Sequence, residues 1–251
     1  MIVSNTDLSD PRSFESQILF EDNHILIINK LPSQIIQGDK TGDVPLSEIT
    51  KEYIKVRYCK PGEVFLGVVH RLDRPVSGVT IFARTSKALS RLNEMLKLRT
   101  IRKVYWAVVK NRPTHAEDTI VSYLKRVESQ NKSYVVKEGT EGCQQAELAY
   151  RVLCSSDTYH LLEVDLFTGR HHQIRVQLSS IGSPIKGDVK YGFPRPNPDG
   201  SIHLHARLIE FIHPVKKEKM TICADPPDEK LWNLLLKSIP EKDRNLSTFD
   251  C

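Results

Sequence analysis

The segment Val68-Val69-His70-Arg71-Leu72-Asp73-Arg74-Pro75-Val76-Ser77-Gly78 indicates the fold of this 251-residue chain more than any other stretch. An apolar run over residues 64–69 predicts a buried strand, and the carboxylate of Asp73 follows it between two arginines. Pro75 and Ser77-Gly78 predict a turn before the chain enters a second strand. Nearby cations favour an ionised carboxylate, and the same cations can bind phosphate. An isolated aspartate in a turn is usually structural, so a functional interpretation needs support from the rest of the chain.

Strands and helices alternate on both sides of this segment, with no internal repeat and no low-complexity linker. Short apolar runs predict strands at residues 25–28, 79–83, 103–109, 162–166 and 203–206. Apolar residues at helical spacing predict helices over residues 46–56 and 89–96, the second of them capped by Thr85-Ser86. The strict β-α-β alternation of a doubly wound sheet is absent, so we predict an α+β fold rich in strands.

Composition indicates an ordinary globular protein, because 39% of the residues are hydrophobic and 27% are charged. No apolar run is long enough to cross a bilayer, and the N-terminus has no signal-peptide pattern. The five cysteines are odd in number and scattered, which indicates neither a disulfide framework nor a zinc site. We therefore expect a cytoplasmic protein. The net charge of +5 favours a polyanionic partner only weakly.

Two further segments carry candidate functional residues. Lys103-Val104-Tyr105-Trp106-Ala107 reads as a strand whose tyrosine can stack on a base and use its hydroxyl in proton transfer, although most strand tyrosines are structural. In Phe167-Thr168-Gly169-Arg170-His171-His172-Gln173-Ile174-Arg175-Val176, a helix is predicted to follow Gly169. On that helix the two histidines and Arg175 share one face, so this face can supply a partner for Asp73 or donors to phosphate. A solvent-facing basic stripe is the alternative.

The three segments, in this order, resemble the RluA-type family of RNA pseudouridine synthases. The first resembles the family's His-Arg-Leu-Asp-x-x-x-Ser-Gly loop, the second its Lys-x-Tyr strand, and the third its Thr-Gly-Arg-x-His-Gln-Ile-Arg motif. The matching positions are His70, Arg71, Leu72, Asp73, Ser77 and Gly78; Lys103 and Tyr105; and Thr168, Gly169, Arg170, His172, Gln173, Ile174 and Arg175. Further matches, among them Gly187-Asp188 and Tyr191-Gly192, extend the resemblance over residues 16–235.

The resemblance implies a catalytic domain over residues 16–238, built on a long mixed β-sheet with flanking helices and loops and a central active-site cleft. Residues 1–15 and 239–251 are expected to be polar tails. Departures from the family pattern at Val76, His171, Gln177 and Ser183 are expected to affect substrate choice and not activity.

The implied reaction converts uridine in structured RNA to pseudouridine. A uridine extruded from the RNA enters the cleft, and Asp73 drives cleavage of the N1–C1′ bond, either by attacking C1′ or by removing the 2′ proton. The base then rotates, and C5 bonds to C1′. Tyr105 is expected to stack on the base and assist loss of the C5 proton, while Arg175 pairs with Asp73 and keeps it ionised. The expected RNA-binding residues are His70, Arg71, Arg74, Lys103, Arg170, His172 and Gln173.

No cofactor, metal or membrane is implied, and the expected partner is ribosomal or transfer RNA bound by a monomer. Three alternatives remain open at this point. A glycosidase would use Asp188 as a second carboxylate. A non-catalytic RNA-binding protein would be expected to lack Asp73. A metal site would use His203 and His205, which alternate on one strand face but have no acidic or cysteine neighbours in the sequence.

Overall fold

The computed structural model describes residues 14–39 and 41–240, and in these residues eleven strands form one mixed sheet flanked by four α-helices. The strands are β1 (Ile18–Glu21), β2 (Ile25–Lys30), β3 (Gly67–Val68), β4 (Ser77–Ala83), β5 (Arg102–Val109), β6 (Glu117–Val127), β7 (Lys132–Val136), β8 (Gln144–Ser155), β9 (His160–Leu166), β10 (Leu204–Ile212) and β11 (Lys219–Cys223). The helices are α1 (Leu46–Arg57), α2 (Ser86–Lys97), α3 (Gln173–Ser180) and α4 (Lys230–Lys237). The predicted α+β class with a long mixed sheet is confirmed.

The strand order brings distant parts of the sequence together at the middle of the sheet. The order is β1-β2-β4-β10-β5-β9-β8-β6-β7, with β3 beside β4 and β11 beside β10. Among the described strands, the pairs are antiparallel except β4 with β10, which is parallel. Ala206 of β10 pairs with Gly78 on one side and with Tyr105 on the other. The start of β4, where the loop that carries Asp73 ends, therefore lies two strand spacings, about 10 Å, from Tyr105.

Gly78 permits the close approach of β4 to β10. Its φ is +117°, and an added Cβ would lie 2.3 Å from the carbonyl oxygen of Ala206. No L side chain fits there without moving the backbone. The Ser-Gly ending of the 68–78 segment thus has a local physical reason, because it joins that segment to the central strands.

Both faces of the central strands are covered. Along β2, Ile25 and Ile27 pack into one apolar cluster with α2, while Leu26 and Ile28 pack into another with α1 and α3. A third cluster joins Trp106 to α4 and includes the buried Ile239. This double-sided packing explains why β2 reads as a continuous apolar run.

Most predicted elements are confirmed, with two corrections. Thr85 caps α2 by accepting a hydrogen bond from the backbone N–H of Ala88. The strand predicted over residues 64–69 is wrong in length, because only Gly67–Val68 pairs with β4. The helix predicted to follow Gly169 begins only at Gln173, since His172 has a left-handed φ of 55° that a right-handed helix cannot contain. The shared helical face of His171, His172 and Arg175 is therefore wrong.

Several outcomes concern the cysteines and the chain ends. Among the described residues, Cys59, Cys143 and Cys154 carry free thiols. None of the described helices is long and apolar enough to span a membrane. Phe14 belongs to the packed core, whereas residues 1–13 and 241–251 of the predicted tails lie outside the described residues.

Candidate active site

The three segments singled out in the sequence meet in one small pocket of about 70 Å³. Asp73 comes from the loop before β4, Tyr105 from β5, and Arg175 from the first turn of α3. The other lining residues are Arg71, Leu72, Val76, Leu166, His172, Gln173, Ile174 and Leu204. The strand order explains why the three segments meet. β10 lies between β4 and β5, and β9, which pairs with β5, is followed in the chain by the turn that leads to α3.

The two carboxylate oxygens of Asp73 have different surroundings. Oδ2 accepts a hydrogen bond of 2.9 Å from Arg175 Nη1, and His172 Nε2 lies 3.4 Å from the same oxygen. Oδ1 accepts no hydrogen bond from any residue in the described part of the chain. The side chain is 31% exposed, so the carboxylate is held at one oxygen and open at the other.

Arg175 is fixed by a second carboxylate, Asp188. Its Nε donates to Asp188 Oδ2 at 2.7 Å and its Nη2 donates to Oδ1 at 2.8 Å, which is the bidentate geometry that a planar guanidinium favours. Burial alone would lower the pKa of Arg175, but the hydrogen bonds and charges of Asp188 and Asp73 raise it above its ordinary value. Asp188 thereby aims the remaining Nη1 at Asp73. Both oxygens of Asp188 are occupied, so it is not placed to act as a glycosidase's second carboxylate.

His172 is held beside Asp73 by Tyr191, a residue that sequence reasoning did not single out for function. Its Nδ1 lies 2.8 Å from the Tyr191 hydroxyl, and the Tyr191 ring also lies 5.1 Å from the guanidinium carbon of Arg175. Burial lowers the pKa of His172 to about 3, so the imidazole is neutral at ordinary pH. The only sequence signal for Tyr191 was its place in the extended resemblance.

Tyr105 is an apolar wall of the pocket with a polar end. It is buried on β5, and its hydroxyl has no hydrogen-bond partner among the described residues. Burial and the charge of Asp73 raise the pKa of Tyr105 above its ordinary value, so the phenol keeps its proton.

Lys30 supports the Asp73 loop from behind and was missed from sequence. It is fully buried at the end of β2, and its Nζ donates to the carbonyl oxygens of Leu31, Arg74 and Val76 at 3.0, 3.1 and 2.6 Å. Burial lowers its pKa to about 7, an effect that the charge of Asp73 opposes. A lysine that ends an apolar strand was the available signal.

The predicted RNA-binding residues near the pocket differ in how far protein contacts leave them free to bind RNA. Arg71 is exposed and forms no ion pair with the described residues, and it lines both the Asp73 pocket and a neighbouring cavity of about 730 Å³. His70 accepts a hydrogen bond from the backbone of Ile81, and burial followed by the charge of Lys103 lowers its pKa to about 4. Lys103 approaches Gly169 and so lies between the first and third segments.

Three other predicted RNA-binding residues already have protein partners. Arg74 turns away from the pocket, with Nη1 2.6 Å from Asp43 and Nη2 donating to Thr41. Gln173 is buried, and its amide bonds to Thr168, Arg170 and Glu147 shape the turn before α3. Arg170 donates from Nε to the carbonyl oxygen of Gln145. Their contact with RNA stays a prediction.

The histidines considered for a metal site also have protein partners. His203 contacts Asn197 and Glu229, and His205 contacts Ser77 and the carbonyl oxygen of Ala224. Within residues 14–39 and 41–240, no group of three or more potential ligands could hold a metal ion.

Comparison with known proteins identifies the family of this chain. The sequence profile described as RNA pseudouridylate synthase matches residues 24–180. The chain belongs to this family. It is therefore an enzyme that isomerises uridine in RNA to pseudouridine, as the sequence resemblance predicted.

Individual relatives support the assignment. The chain is 32% identical over 227 residues to an uncharacterized RNA pseudouridine synthase, YjbO, of Bacillus subtilis, which covers 90% of this chain and 77% of that protein. It is 34% identical over 226 residues to ribosomal large subunit pseudouridine synthase C of Yersinia pestis, covering 87% of this chain and 68% of that one. The structure of human RNA pseudouridylate synthase domain containing 4 superposes with a TM-score of 0.76 at 22% identity, covering 90% of this chain and 94% of that chain. That likeness shows the shared fold.

Proposed function

We propose that this RNA pseudouridine synthase acts on ribosomal RNA and that Asp73 is its catalytic carboxylate, with Oδ1 as the reacting atom. The carrying observation is the asymmetry of the carboxylate: Arg175 holds Oδ2, while Oδ1 accepts nothing from the described residues. A carboxylate held at one oxygen keeps its orientation and its charge, and the second oxygen is available to a substrate.

The reaction that we propose conserves every atom of the substrate. A uridine extruded from the RNA brings its sugar to Asp73, and the N1–C1′ bond breaks after attack on C1′ or removal of the 2′ proton. The uracil turns while it is held, and C5 bonds to C1′ as the Asp73–C1′ bond breaks or, after removal of the 2′ proton, as that proton returns from Asp73 to C2′. The C5 proton then leaves, and N1 gains a proton, so the product is an isomer of the substrate. Tyr105 lines the Asp73 pocket and is our candidate for stacking on the base and assisting loss of the C5 proton.

The size of the pocket supports a role for loop movement. At about 70 Å³ it is far smaller than the roughly 300–1,000 Å³ of ordinary ligand sites. We therefore expect Arg71, which is exposed at the junction with the 730 Å³ cavity, to shift when the base enters. Arg71, Lys103 and Arg170 are our candidates for contacts with the RNA backbone, and His70 is proposed to shape the loop between them.

The names of the relatives support ribosomal RNA over transfer RNA as the substrate. Relatives from Yersinia pestis and Haemophilus ducreyi are called ribosomal large subunit pseudouridine synthase C, at 34% and 32% identity. No phosphate bond is made or broken in the proposed reaction, so we expect it to need neither metal nor nucleotide. We further propose that the enzyme works in the cytoplasm as a monomer.

The test is genetic and chemical. The gene is deleted in its host, pseudouridine is mapped across total RNA, and the strain is complemented with wild-type or Asp73→Asn protein. We expect a ribosomal RNA site to disappear and to return only with the wild-type protein. Loss of a transfer RNA site instead would overturn the substrate assignment. Release of free uracil by the purified enzyme would indicate the glycosidase alternative.

A further inference from the structure

A cluster of cations lies beside the active site where the β6–β7 hairpin contacts the turn that follows Asp188. We call Arg126, Lys132 and Lys190 the basic rim. Arg126 and Lys132 lie on the paired strands β6 and β7 next to the hairpin end, and the Nζ of Lys190 donates to the carbonyl oxygen of Asn131 at 3.0 Å. None of the three forms an ion pair with a carboxylate in the described part of the chain.

The rim cations are close enough to act on one another and on the active site. Burial, then the charges of Arg126 and Lys190 against the opposing effect of Asp73, lower the pKa of His171, which stands between the hairpin and α3. Burial first, and then the charge of Arg175, lower the pKa of Lys190; Asp188 and Asp73 oppose this shift, and Lys132 adds to it. Like charges held together without a direct ion-pair partner repel one another, so the arrangement favours binding of a further anion.

We propose that the basic rim binds backbone phosphates of the RNA next to the nucleotide that enters the Asp73 pocket. The proposal rests on the proposed function, because the anion that an RNA-modifying enzyme must hold beside its active site is a phosphodiester. Lys190 is two residues from Asp188, which fixes Arg175, so a phosphate on the rim lies beside the reacting nucleotide.

The experiment compares two triple variants of the full chain. Arg126→Gln/Lys132→Gln/Lys190→Gln removes the rim, while Lys55→Gln/Lys60→Gln/Lys87→Gln removes three exposed cations elsewhere. Affinity for one target RNA fragment is measured across a salt series. Each lost phosphate contact makes the negative slope of log affinity against log salt shallower by about 0.7–0.9, so the slope of the rim variant should be shallower by about 2–3. The slope of the control triple should change by less than about 1.

Equal slopes in the two triple variants would overturn the rim proposal. The proposed function is tested separately on the wild-type enzyme, which must form pseudouridine in that same RNA. A wild-type enzyme that forms pseudouridine and a rim variant with an unchanged slope would thus reject the rim alone.

Two hydrogen bonds independently connect the hairpin to His172, which lies beside Asp73. The backbone N–H of Ser133 donates to the Tyr191 hydroxyl at 2.9 Å, and that hydroxyl lies 2.8 Å from His172 Nδ1. His172 Nε2 in turn lies 3.4 Å from Asp73 Oδ2. These contacts bear on which nitrogen of His172 carries the proton.

The direction of these hydrogen bonds follows from the one that Ser133 donates. The Tyr191 oxygen accepts from Ser133, which leaves its own proton free to point at His172 Nδ1, and the Asp73 carboxylate on the other side of the ring favours an N–H at Nε2. A neutral imidazole carries a single N–H, and with Nδ1 accepting, that proton sits on Nε2. His172 thus presents an N–H to Asp73 Oδ2, the oxygen that Arg175 also holds.

We infer that Tyr191 is a positioning residue that fixes the Nε2–H tautomer of His172 and so directs reaction to Asp73 Oδ1. In the other tautomer, the lone pair of Nε2 would face the carboxylate and repel it. This inference concerns the orientation of the proposed catalytic group and leaves the RNA substrate open.

Tyr191→Phe tests this inference because it keeps the ring beside Arg175 and removes only the hydroxyl. The ¹⁵N shifts of His172 report its tautomer, and the single-turnover rate reports the consequence. We expect a mixture of tautomers and a rate about tenfold lower, roughly 1.4 kcal/mol of barrier. In a His172→Gln background, whose amide donates without a tautomer, Tyr191→Phe should change the rate by less than about twofold.

An unchanged tautomer or rate in Tyr191→Phe would overturn the inference, as would the same tenfold loss in the His172→Gln background. If loss of the Ser133 partner prevents folding, His172→Gln and His172→Leu replace that comparison. The glutamine variant should then be at least about fivefold faster than the leucine variant. Equal rates would reject a donor role for His172. A wild-type enzyme that forms no pseudouridine would reject the proposed function, whereas the tautomer measurement stands on its own.

Discussion

Asp73 and Asp188 share one partner, Arg175, and differ in what the protein leaves free. Asp188 is 1% exposed, and Arg175 occupies both of its oxygens, at 2.7 and 2.8 Å. Asp73 is 31% exposed, and Arg175 occupies one oxygen, at 2.9 Å. A buried carboxylate needs full pairing to offset its desolvation, whereas a half-exposed one can keep an oxygen for a substrate. One arginine can therefore anchor a buried carboxylate and orient a more exposed one for reaction.

The largest expected effect comes from removing the shared partner. Arg175→Met leaves Asp188 buried without its cation, so we expect the free energy of unfolding to fall by about 3–5 kcal/mol. Arg175→Lys keeps the charge but loses the planar fork and should fall between wild type and Arg175→Met. Urea unfolding of the three proteins measures this. Equal stability of wild type and Arg175→Met would mean that Asp188 is not anchored by the pair.

A second prediction concerns Tyr105, which lines the same pocket as Asp73. Tyr105→Phe keeps a stacking ring and loses the hydroxyl, so we expect the single-turnover rate to fall by about 100-fold, roughly 2.7 kcal/mol of barrier. Affinity for the RNA should stay within about threefold, because the ring remains. A Tyr105→Phe enzyme as fast as wild type would limit Tyr105 to a platform for the base.

The two arginines that flank Asp73 also differ in whether another residue of the protein occupies them. Arg74 is paired with Asp43 and Thr41, whereas Arg71 has no ion-pair partner among the described residues. We expect Arg71→Gln to weaken RNA binding by about tenfold and to reduce the salt dependence. Arg74→Gln, the matched control, should weaken binding by less than about threefold. Binding isotherms at two salt concentrations decide the point, and equal losses would show that RNA displaces the Asp43 pair.

The smallest expected effect is a pH dependence of stability. Burial lowers the pKa of His172 to about 3 and those of His70 and His205 to about 4, against an ordinary value of 6.5. The unfolded chain therefore binds more protons than the folded chain below pH 6.5. Stability should be complete above that pH and should fall as pH decreases toward 3–4.

His172→Gln removes one of these groups from the site beside Asp73. Urea unfolding of wild type and His172→Gln at pH 7, 5 and 4 measures the difference. The loss of stability on acidification should be smaller in the variant. Parallel curves for the two proteins would show that His172 is not buried in its neutral form.

The strands and site residues that could be predicted from the sequence are those with a strong local pattern or a recognisable motif. The apolar runs of β2, β4 and β5 predicted their strands, and the pairing of Asp73 with Arg175 was expected from the resemblance and is present in the structure. The strands were predicted from continuous apolar residues, and the ion pair from long motifs; few other structures produce either pattern.

What sequence reasoning missed depends on long-range geometry. The contact of Asp188 with Arg175 and the docking of the β6–β7 hairpin on Tyr191 follow from how distant segments pack, which no local pattern encodes. The left-handed backbone of His172 overrides the helical spacing that predicted a shared face with Arg175. Lys30 shows the same limit, because its three carbonyl partners exist only once the Asp73 loop is folded.

The central claim is that Asp73 reacts and Asp188 anchors, and it is tested by comparing Asp73→Asn with Asp188→Asn. Single-turnover pseudouridine formation on one RNA and urea unfolding are measured for both variants. We predict that Asp73→Asn stays close to wild-type stability and loses more than about 1,000-fold in rate, roughly 4 kcal/mol of barrier. Asp188→Asn should lose about 3–5 kcal/mol of stability and remain at least about 30-fold faster than Asp73→Asn. An Asp73→Asn enzyme within about tenfold of the wild-type rate would contradict the account.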